Sequence, residues 1–509
     1  MACNSGTCQS GCYRDDTSIG AAESPPVAKK NEPLNDVVNS RRTTEHLDNS
    51  ICIKCKVNTT IAASTADVSV VDGGGSDAGR FCVDCFRSNL FGKFRLAVTA
   101  NAMISPSDNV LVAFSGGTCS SCTIRASFRA PRLNTRDTCH LTPAADTDTK
   151  VALQFIHEMQ TKAQKNFDAS RDRALPVFGV GVAFIDEKTC SAVSSGYLDR
   201  AIEEMKLIVS DLAPPVKQFH VVPTETIYSP EAGAKDRLNE LINAVSDITG
   251  KEDLLEHFRM LSLQKIAIEH GYTKVLLGTC TSRIACHVLE ATVKGRGYSL
   301  AADIQYVDAR WKIPVVLPLR DCPIHELNML CNLDSLMTVE VFNGTRAGIN
   351  GLISSFVKLL QEENPSREST IMRTAGKLTP FHFNRMPEDN DYNGQVASRR
   401  RQKKYNLKTK DALLIESFCP ICNSPLKVSN FETSSNFDNG KTSPNGIGAA
   451  CCASCQFQVL PKDPSSLENF ISLLPPSMVS QAEDGVRLSQ RQLREQIEDC
   501  LLSDNEDGT

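Results

Sequence analysis

Val110-Leu-Val-Ala-Phe-Ser-Gly-Gly-Thr-Cys-Ser-Ser-Cys122 is the stretch on which the fold turns. Val110 to Phe114 form an unbroken apolar run, the pattern of a strand buried on both faces in a parallel sheet. Ser115, Gly116 and Gly117 then turn the chain, and Thr118 to Phe128 can continue as a helix. A strand, a glycine turn and a helix aim backbone N–H groups and a helix N-terminus at one point, as a phosphate requires. Glycine suits the turn because a Cβ would block close approach of the anion. The same layout also serves as a plain strand-to-helix turn, so it argues for an α/β unit before it argues for a ligand.

Strand and helix patterns alternate outward from this stretch, over residues 105–345. Val151–Gln164 carries Leu153, Ile156 and Met159 at helical spacing, and Val177–Ile185 reads as the next strand. Helices at Tyr197–Leu212 and Arg237–Ile248 flank a strand at Phe219–Val222. A helix at Leu255–His270 ends at Gly271, a C-cap glycine. Lys274–Gly278 is then a strand and Arg283–Thr292 a helix. The pattern predicts a doubly wound parallel sheet, whose ligands sit at the carboxyl ends of the strands. Ser115 and Gly278 both follow strand ends and can share that crevice.

The chain has 509 residues, 41% apolar, with a net charge of −5. That is enough for two or three domains with a sizeable core. The net charge does not favour a polyanion, so nucleic-acid contacts require local basic patches. No apolar run approaches the roughly 18 residues of a membrane span, and the polar start Met1-Ala-Cys-Asn lacks a signal-peptide core. The expectation is a cytoplasmic protein without a membrane partner. Twenty-one cysteines in such a chain suggest metal binding or reactive thiols and not a disulfide framework.

Eight of those cysteines form two double C-x-x-C sets. The first joins Cys52 and Cys55 to Cys82 and Cys85 across a polar loop containing Asp72-Gly-Gly-Gly75. The second joins Cys419 and Cys422 to Cys452 and Cys455. Two intervening residues let both thiolates of a pair wrap one ion, the geometry of tetrahedral Zn²⁺, so two structural zinc sites are expected. Unrelated redox or buried pairs are the other reading. The organisation that follows is a polar tail at 1–50, holding Cys3, Cys8 and Cys12, a zinc module at 51–90 and the α/β domain at 105–345. A helix and basic linker occupy 346–410, a zinc ribbon 411–462, and a helix with an acidic tail 463–509, the helix near Val486–Leu502. Within the linker, Ser398 to Lys410 carries seven cations and no acid. Arg399, Arg400, Arg401, Lys403 and Lys404 are its densest part, suited to a nucleic-acid backbone or to a solvated linker.

Ser115-Gly116-Gly117-Thr118-Cys119-Ser120 resembles the S-G-G-x-D-S pyrophosphate loop of ATP pyrophosphatases, of the adenine nucleotide alpha hydrolase-like fold. The aspartate of that pattern is Cys119 here, and a thiol does not replace a carboxylate at magnesium, a hard ion. Leu276-Leu-Gly-Thr-Cys-Thr-Ser-Arg-Ile-Ala285 stands where the tRNA-modifying members carry a G-H-N-x-D-D-like segment. Gly278 and Thr279 fit, as does the later turn Lys294-Gly-Arg-Gly297, but Ser282 and Arg283 replace the two acids. Leu317-Pro-Leu-Arg-Asp321 with Glu326 resembles a further segment of those enzymes. With a cysteine set at each end, nearly the whole chain resembles the cytoplasmic tRNA 2-thiolation protein 2 family.

The resemblance implies a degenerate pyrophosphate-loop subunit of the complex that 2-thiolates wobble uridine, position 34, in Lys, Glu and Gln tRNAs. The implied partners are the catalytic tRNA 2-thiolation protein 1 paralogue as a heterodimer, tRNA, and a thiocarboxylated ubiquitin-related modifier that donates sulfur. Ser115, Gly116, Gly117, Ser120 and Gly278 then form a phosphate-loop remnant with no confident catalytic residue and doubtful ATP binding. The basic run, with Lys294 and Arg296, supplies the candidate tRNA contacts. Two alternatives stand beside this one. One is a self-sufficient ATP-dependent tRNA sulfurtransferase, with Cys119 or Cys122 handling sulfur. The other is a zinc-ribbon nucleic-acid-binding module on an unrelated α/β core.

Overall fold

Six strands form one sheet in the order β3-β2-β1-β4-β6-β5. They are β1 (Asn109–Phe114), β2 (Gly179–Asp186), β3 (Gln218–Pro223), β4 (Lys274–Leu277), β5 (Val307–Asp308) and β6 (Val315–Val316). All neighbours run parallel except β5, which is antiparallel to β6. The computed structural model describes residues 51–61, 77–114, 147–170, 176–190, 195–228, 233–334, 348–386 and 450–482, and within 412–448 residues 412, 413, 415, 417–426 and 448.

The apolar run at β1 is buried on both faces, Val110 to Phe114 each at most 1% exposed. Val110, Val112 and Phe114 join Val182, Phe184 and Leu276 on one face, which is covered by α1 (Val83–Ala100), α2 (Thr147–Ala169) and α3 (Ser195–Asp211). On this face Phe155 of α2 meets Phe91 and Phe94 of α1 edge-on or tilted, with ring centroids 5.5 and 5.4 Å apart. Leu111 and Ala113 turn to the other face, where Leu263 and Ala267 of α5 (Ile248–Glu269) pack with Ala183, Ile185 and Val275. The period-two alternation thus supplies both faces from one short run, and each fully buried large side chain contributes about 1.5–3 kcal/mol. The doubly wound parallel fold expected from the sequence is the fold observed.

Several element bounds differ from expectation. The helix expected at Arg237–Ile248 ends early, as α4 (Ala234–Ala244), because Val245 turns extended. The next helix, α5, begins about two turns before the expected Leu255, because the Asp247 carboxylate caps it by accepting from the Gly250 N–H at 2.7 Å. At its other end Tyr272 N–H donates to Ala267 C=O at 2.8 Å and Gly271 N–H to Ile268 C=O at 3.3 Å, the glycine C-cap expected there.

After β4 come α6 (Thr281–Val293), the short α7 (Leu300–Asp303), α8 (Ile324–Leu333) and α9 (Gly348–Glu363). The stretch after α9, which the sequence assigns to a linker, opens with α10 (Ser366–Ala375). It buries only Glu368, Met372 and Ala375, too few apolar positions to show a helical period in the sequence.

The C-terminal cysteines are not set apart from the sheet. Cys419, Ile421, Cys451 and Cys455 share one hydrophobic cluster with Leu238 and Leu241 of α4 and Leu254 and Phe258 of α5. α11 (Ala453–Gln458) approaches the first turn of α5 so closely that a Cβ on Gly250 would lie 2.2 Å from the Gln458 carbonyl. α12 (Pro464–Leu473), capped by Asp463, adds Phe470 and Leu473 to the same cluster. Tyr228 Oη donates to the Leu473 carbonyl at 2.7 Å.

Candidate functional site

The two cysteine sets converge as two four-sulfur clusters, in each of which the Sγ atoms lie within 4.8 Å of one another. They are built alike. In the first, Cys52 and Cys55 sit on a tight turn in which Cys52 N–H donates to Asn58 C=O and Lys56 N–H to Cys52 C=O, both at 2.9 Å. Lys56 closes that turn with φ +55°. Cys82 and Cys85 open α1, Cys82 being its N-cap. In the second, Cys419 N–H donates to Ser424 C=O and Asn423 N–H to Cys419 C=O, at 2.9 and 2.8 Å, and Asn423 takes φ +55°. Cys452 is the N-cap of α11, and Cys455 lies in its first turn. One pair on a left-handed turn and one at a helix N-terminus is the shared plan.

The spacing fits a tetrahedral ion. Zn–S bonds of about 2.3 Å place sulfurs about 3.8 Å apart in a tetrahedron. Cys55 Sγ and Cys82 Sγ are 3.8 Å apart, and Cys422 Sγ and Cys452 Sγ 3.6 Å. No disulfide forms among the described residues. Backbone N–H groups of Cys452 and Cys455 donate to the sulfurs of Cys419 and Cys452 at 3.3 and 3.5 Å. Burial raises the Cys52 thiol, but donation from the Cys55, Cys82 and Lys54 N–H groups outweighs it and pulls the pKa down to about 6. Both clusters can hold a metal ion with all four positions filled by sulfur, which leaves none for a substrate.

The carboxyl end of β4 lies at the point where strand order reverses, between β1 and β4, the usual ligand crevice of such sheets. Gly278 there abuts the first turn of α2, and a Cβ on it would meet Thr149 Cα at 2.6 Å. Arg283 reaches across to Asp148 with contacts of 2.5 and 3.0 Å, and the carboxylate is 1% exposed. Burial raises the Asp148 pKa, and Arg283 opposes that rise. Ser282 Oγ bonds the carboxylate of Glu368 in α10 and accepts from Ile324 N–H at 3.1 Å. The crevice floor is therefore occupied by a closed ion pair and a buried serine–glutamate contact.

Beyond this floor a cavity of ≈ 280 Å³ runs from Gly278 and Thr279 to the second cysteine cluster, where Cys422 and Ser424 line it. Its cations are engaged. Lys294 and Arg296 both bind Asp253, at 2.7 and 2.6 Å. Arg310 binds Asp303 and Asp308, and Arg259 binds Glu187. Arg296 also donates to Ser454 Oγ at 3.0 Å and Arg310 to Asn423 C=O at 3.1 Å, so these two guanidinium groups tie the cysteine cluster to the α/β domain. Four thiolates around a dication leave a net charge of about −2, and the two guanidinium groups beside it are already shared with Asp253, Asp303 and Asp308.

The chain is 52% identical to Cytoplasmic tRNA 2-thiolation protein 2 of Arabidopsis thaliana over 508 residues, 100% of both chains. The chain belongs to the cytoplasmic tRNA 2-thiolation protein 2 family. It is also 46% identical to the Oryza sativa subsp. indica member over 90% of each chain. To the Homo sapiens member it is 25% identical, over 90% of this chain and 94% of the other. No family model matches the chain. Among solved structures it is similar to the U34-tRNA thiolase NcsA from Methanococcus maripaludis with its [4Fe-4S] cluster, at 13% identity and a TM-score of 0.43, over 68% of this chain and 92% of that one. That overlap is too loose to transfer chemistry.

Of the residues singled out from the sequence of this family member, the structure brings all eight paired cysteines into their two clusters. Gly278 lies at the crevice, where its lack of a Cβ serves the packing of α2. Lys294 and Arg296 are not surface cations: their side chains are 3% and 14% exposed, and both are held by Asp253. Ser115, Gly116, Gly117 and Ser120 lie outside the described residues, as do Arg399, Arg400, Arg401, Lys403 and Lys404. The same holds for Cys3, Cys8 and Cys12 and for the helix expected near Val486–Leu502. Sequence reading missed Asp148, Glu368 and Asp253. Each meets its partner only across a long stretch of chain, and nothing in the local pattern marks it.

Proposed function

We propose that this chain is the non-catalytic, tRNA-binding partner in 2-thiolation of the wobble uridine at position 34 of Lys, Glu and Gln tRNAs in the cytoplasm. The reading rests on family membership together with one observation, the Arg283–Asp148 pair at the sheet switch point. Adenylation of a base requires magnesium and carboxylates arranged around the phosphates. Here a guanidinium neutralises the nearest buried carboxylate, Ser282 engages Glu368, and Cys119 stands in the loop where an aspartate is needed. The chemistry then falls to a pyrophosphate-loop paralogue bound as a heterodimer, with sulfur delivered by a thiocarboxylated ubiquitin-related modifier. The ion proposed for both cysteine clusters is structural Zn²⁺, which four thiolates hold without a free position. The run Arg399, Arg400, Arg401, Lys403 and Lys404 is proposed to grip the tRNA backbone irrespective of sequence.

The test is pyrophosphate release from ATP in the presence of substrate tRNA. The purified chain alone is expected to release none, and its mixture with the catalytic paralogue to release it with formation of 2-thiouridine. Release by the lone chain, abolished by Ser115→Ala, establishes the self-sufficient enzyme instead. Replacing the five clustered cations by alanine is expected to weaken tRNA binding by the heterodimer and flatten its salt dependence.

A further inference from the structure

The cavity between β4, β6 and the second cysteine cluster takes one residue, Gly278, from the phosphate-loop remnant, and the rest of its wall is not accounted for by that remnant or by a metal. Five carboxylates and five Lys or Arg side chains line it and balance one another, beside His287 and the cluster residue Cys422. The ion pairs of Lys294, Arg296 and Arg310 fix that balance in place. A free phosphate or a bare cation meets no surplus of the opposite charge there, and a neutral ligand disturbs none of the pairs.

The wall also carries a recognition pair. His257, 6% exposed, stacks at a tilt on Trp311, with ring centroids 5.7 Å apart. Its Nε2 is buried with no hydrogen-bond partner among the described residues. A buried polar atom of that kind is normally satisfied, by protein, by water or by a ligand. Burial holds the imidazole neutral by pulling its pKa down to about 4, so one ring nitrogen donates and the other accepts. Trp311 joins Leu263, Val315 and Leu317 in the apolar part of the wall. Two aromatic planes, a neutral imidazole and charge balance suit a flat, uncharged, hydrogen-bonding ring. The volume of ≈ 280 Å³ is below that of pockets for drug-sized ligands, about 300–1,000 Å³.

We propose that this cavity takes a neutral nucleobase, packed against Trp311 and hydrogen-bonded to His257. The source is a free nucleoside or an unstacked base of tRNA, and only the second rests on the function proposed above. Aromatic stacking combined with edge hydrogen bonding is how proteins hold unpaired bases generally.

Trp311 is the single tryptophan of the chain, so its emission in the purified full-length protein reports on the cavity. Uridine and adenosine are expected to change that emission saturably, and inorganic phosphate to leave it unaltered. His257→Phe keeps a ring but removes the polar nitrogen, and should weaken nucleoside binding about tenfold. Thr279→Phe, which narrows the cavity from the β4 side, should weaken it as well and covers the case in which the histidine variant does not fold. An anticodon stem-loop RNA that alters Trp311 emission and is displaced by uridine identifies tRNA as the source. A nucleoside response with no stem-loop response identifies the free nucleoside, and tRNA binding by the heterodimer then tests the functional proposal separately. No response to millimolar nucleoside, or an equal response to phosphate, overturns the proposal.

Discussion

Arg283 shows how one residue changes what a crevice can do. Its guanidinium is bound to Asp148, a carboxylate 1% exposed, so removing either partner strands the other charge in the interior. Arg283→Met is expected to lower the unfolding free energy by about 3–5 kcal/mol, and adding Asp148→Asn to recover most of it. Urea titrations of the single and double variants measure both changes, and an additive double variant contradicts the pairing. Lys217 gives the clearest pH signature at this scale. Its ammonium donates to Leu212 and Pro215 carbonyls at 2.7 and 3.0 Å, and burial pulls its pKa down to about 8. Between that value and the ordinary lysine value of about 10.4 the unfolded chain holds more of this proton than the folded one. The contribution of Lys217 to stability therefore rises with pH across the window and is least favourable below it. Lys217→Met should remove that rise, read as the difference between wild-type and variant stability at pH 8 and above.

At the scale of elements, the strands and helices around the sheet follow from local pattern wherever a buried face is long enough to show a period. β1, β2 and α2 lie where the unbroken apolar runs and the helical spacing place them. α10 is not legible because its buried stripe, Glu368, Met372 and Ala375, begins with a charged residue and holds only two apolar ones. Asp247 lies inside the helix that the pattern places at 237–248, yet in the structure it is the N-cap that starts α5. Docking of α11 on α5 depends on Gly250, where a Cβ would lie 2.2 Å from a backbone carbonyl that has no rotamer to yield. Gly250→Ala is expected to cost about 1–3 kcal/mol by overpacking. It should also loosen the second cysteine cluster, seen as faster release of its metal to a chelator while the first cluster is unaffected. Equal release rates from the wild type and the variant contradict this docking.

At the scale of the whole molecule, the two cysteine clusters play different parts. The first leads through α1 into the main core, where Phe86, Leu90 and Phe94 are buried. In the second, Cys419 and Cys455 are themselves core residues beside Leu254 and Phe258. Metal binding energy is therefore folding energy for the α/β domain as well as for the loop that carries the ligands. Cys419→Ser is expected to reduce bound metal from two equivalents to one and to lower the midpoint of the single thermal transition. A separate low-temperature step with an unchanged main transition contradicts the shared core. The parallel sheet and the grouping of the eight cysteines are legible in the residues alone, because periodicity and C-x-x-C spacing act over a few neighbouring positions. So is the loss of the two acids at Ser282 and Arg283, since residue type alone decides whether a carboxylate is present. Folding alone brings Asp148 to neutralise Arg283, lets Asp253 hold Lys294 and Arg296 out of reach of a ligand backbone, and turns His257 and Trp311 to one cavity. Those partners stand as far as 135 positions apart along the chain, and packing of the helices on the sheet is what brings their charges and rings together.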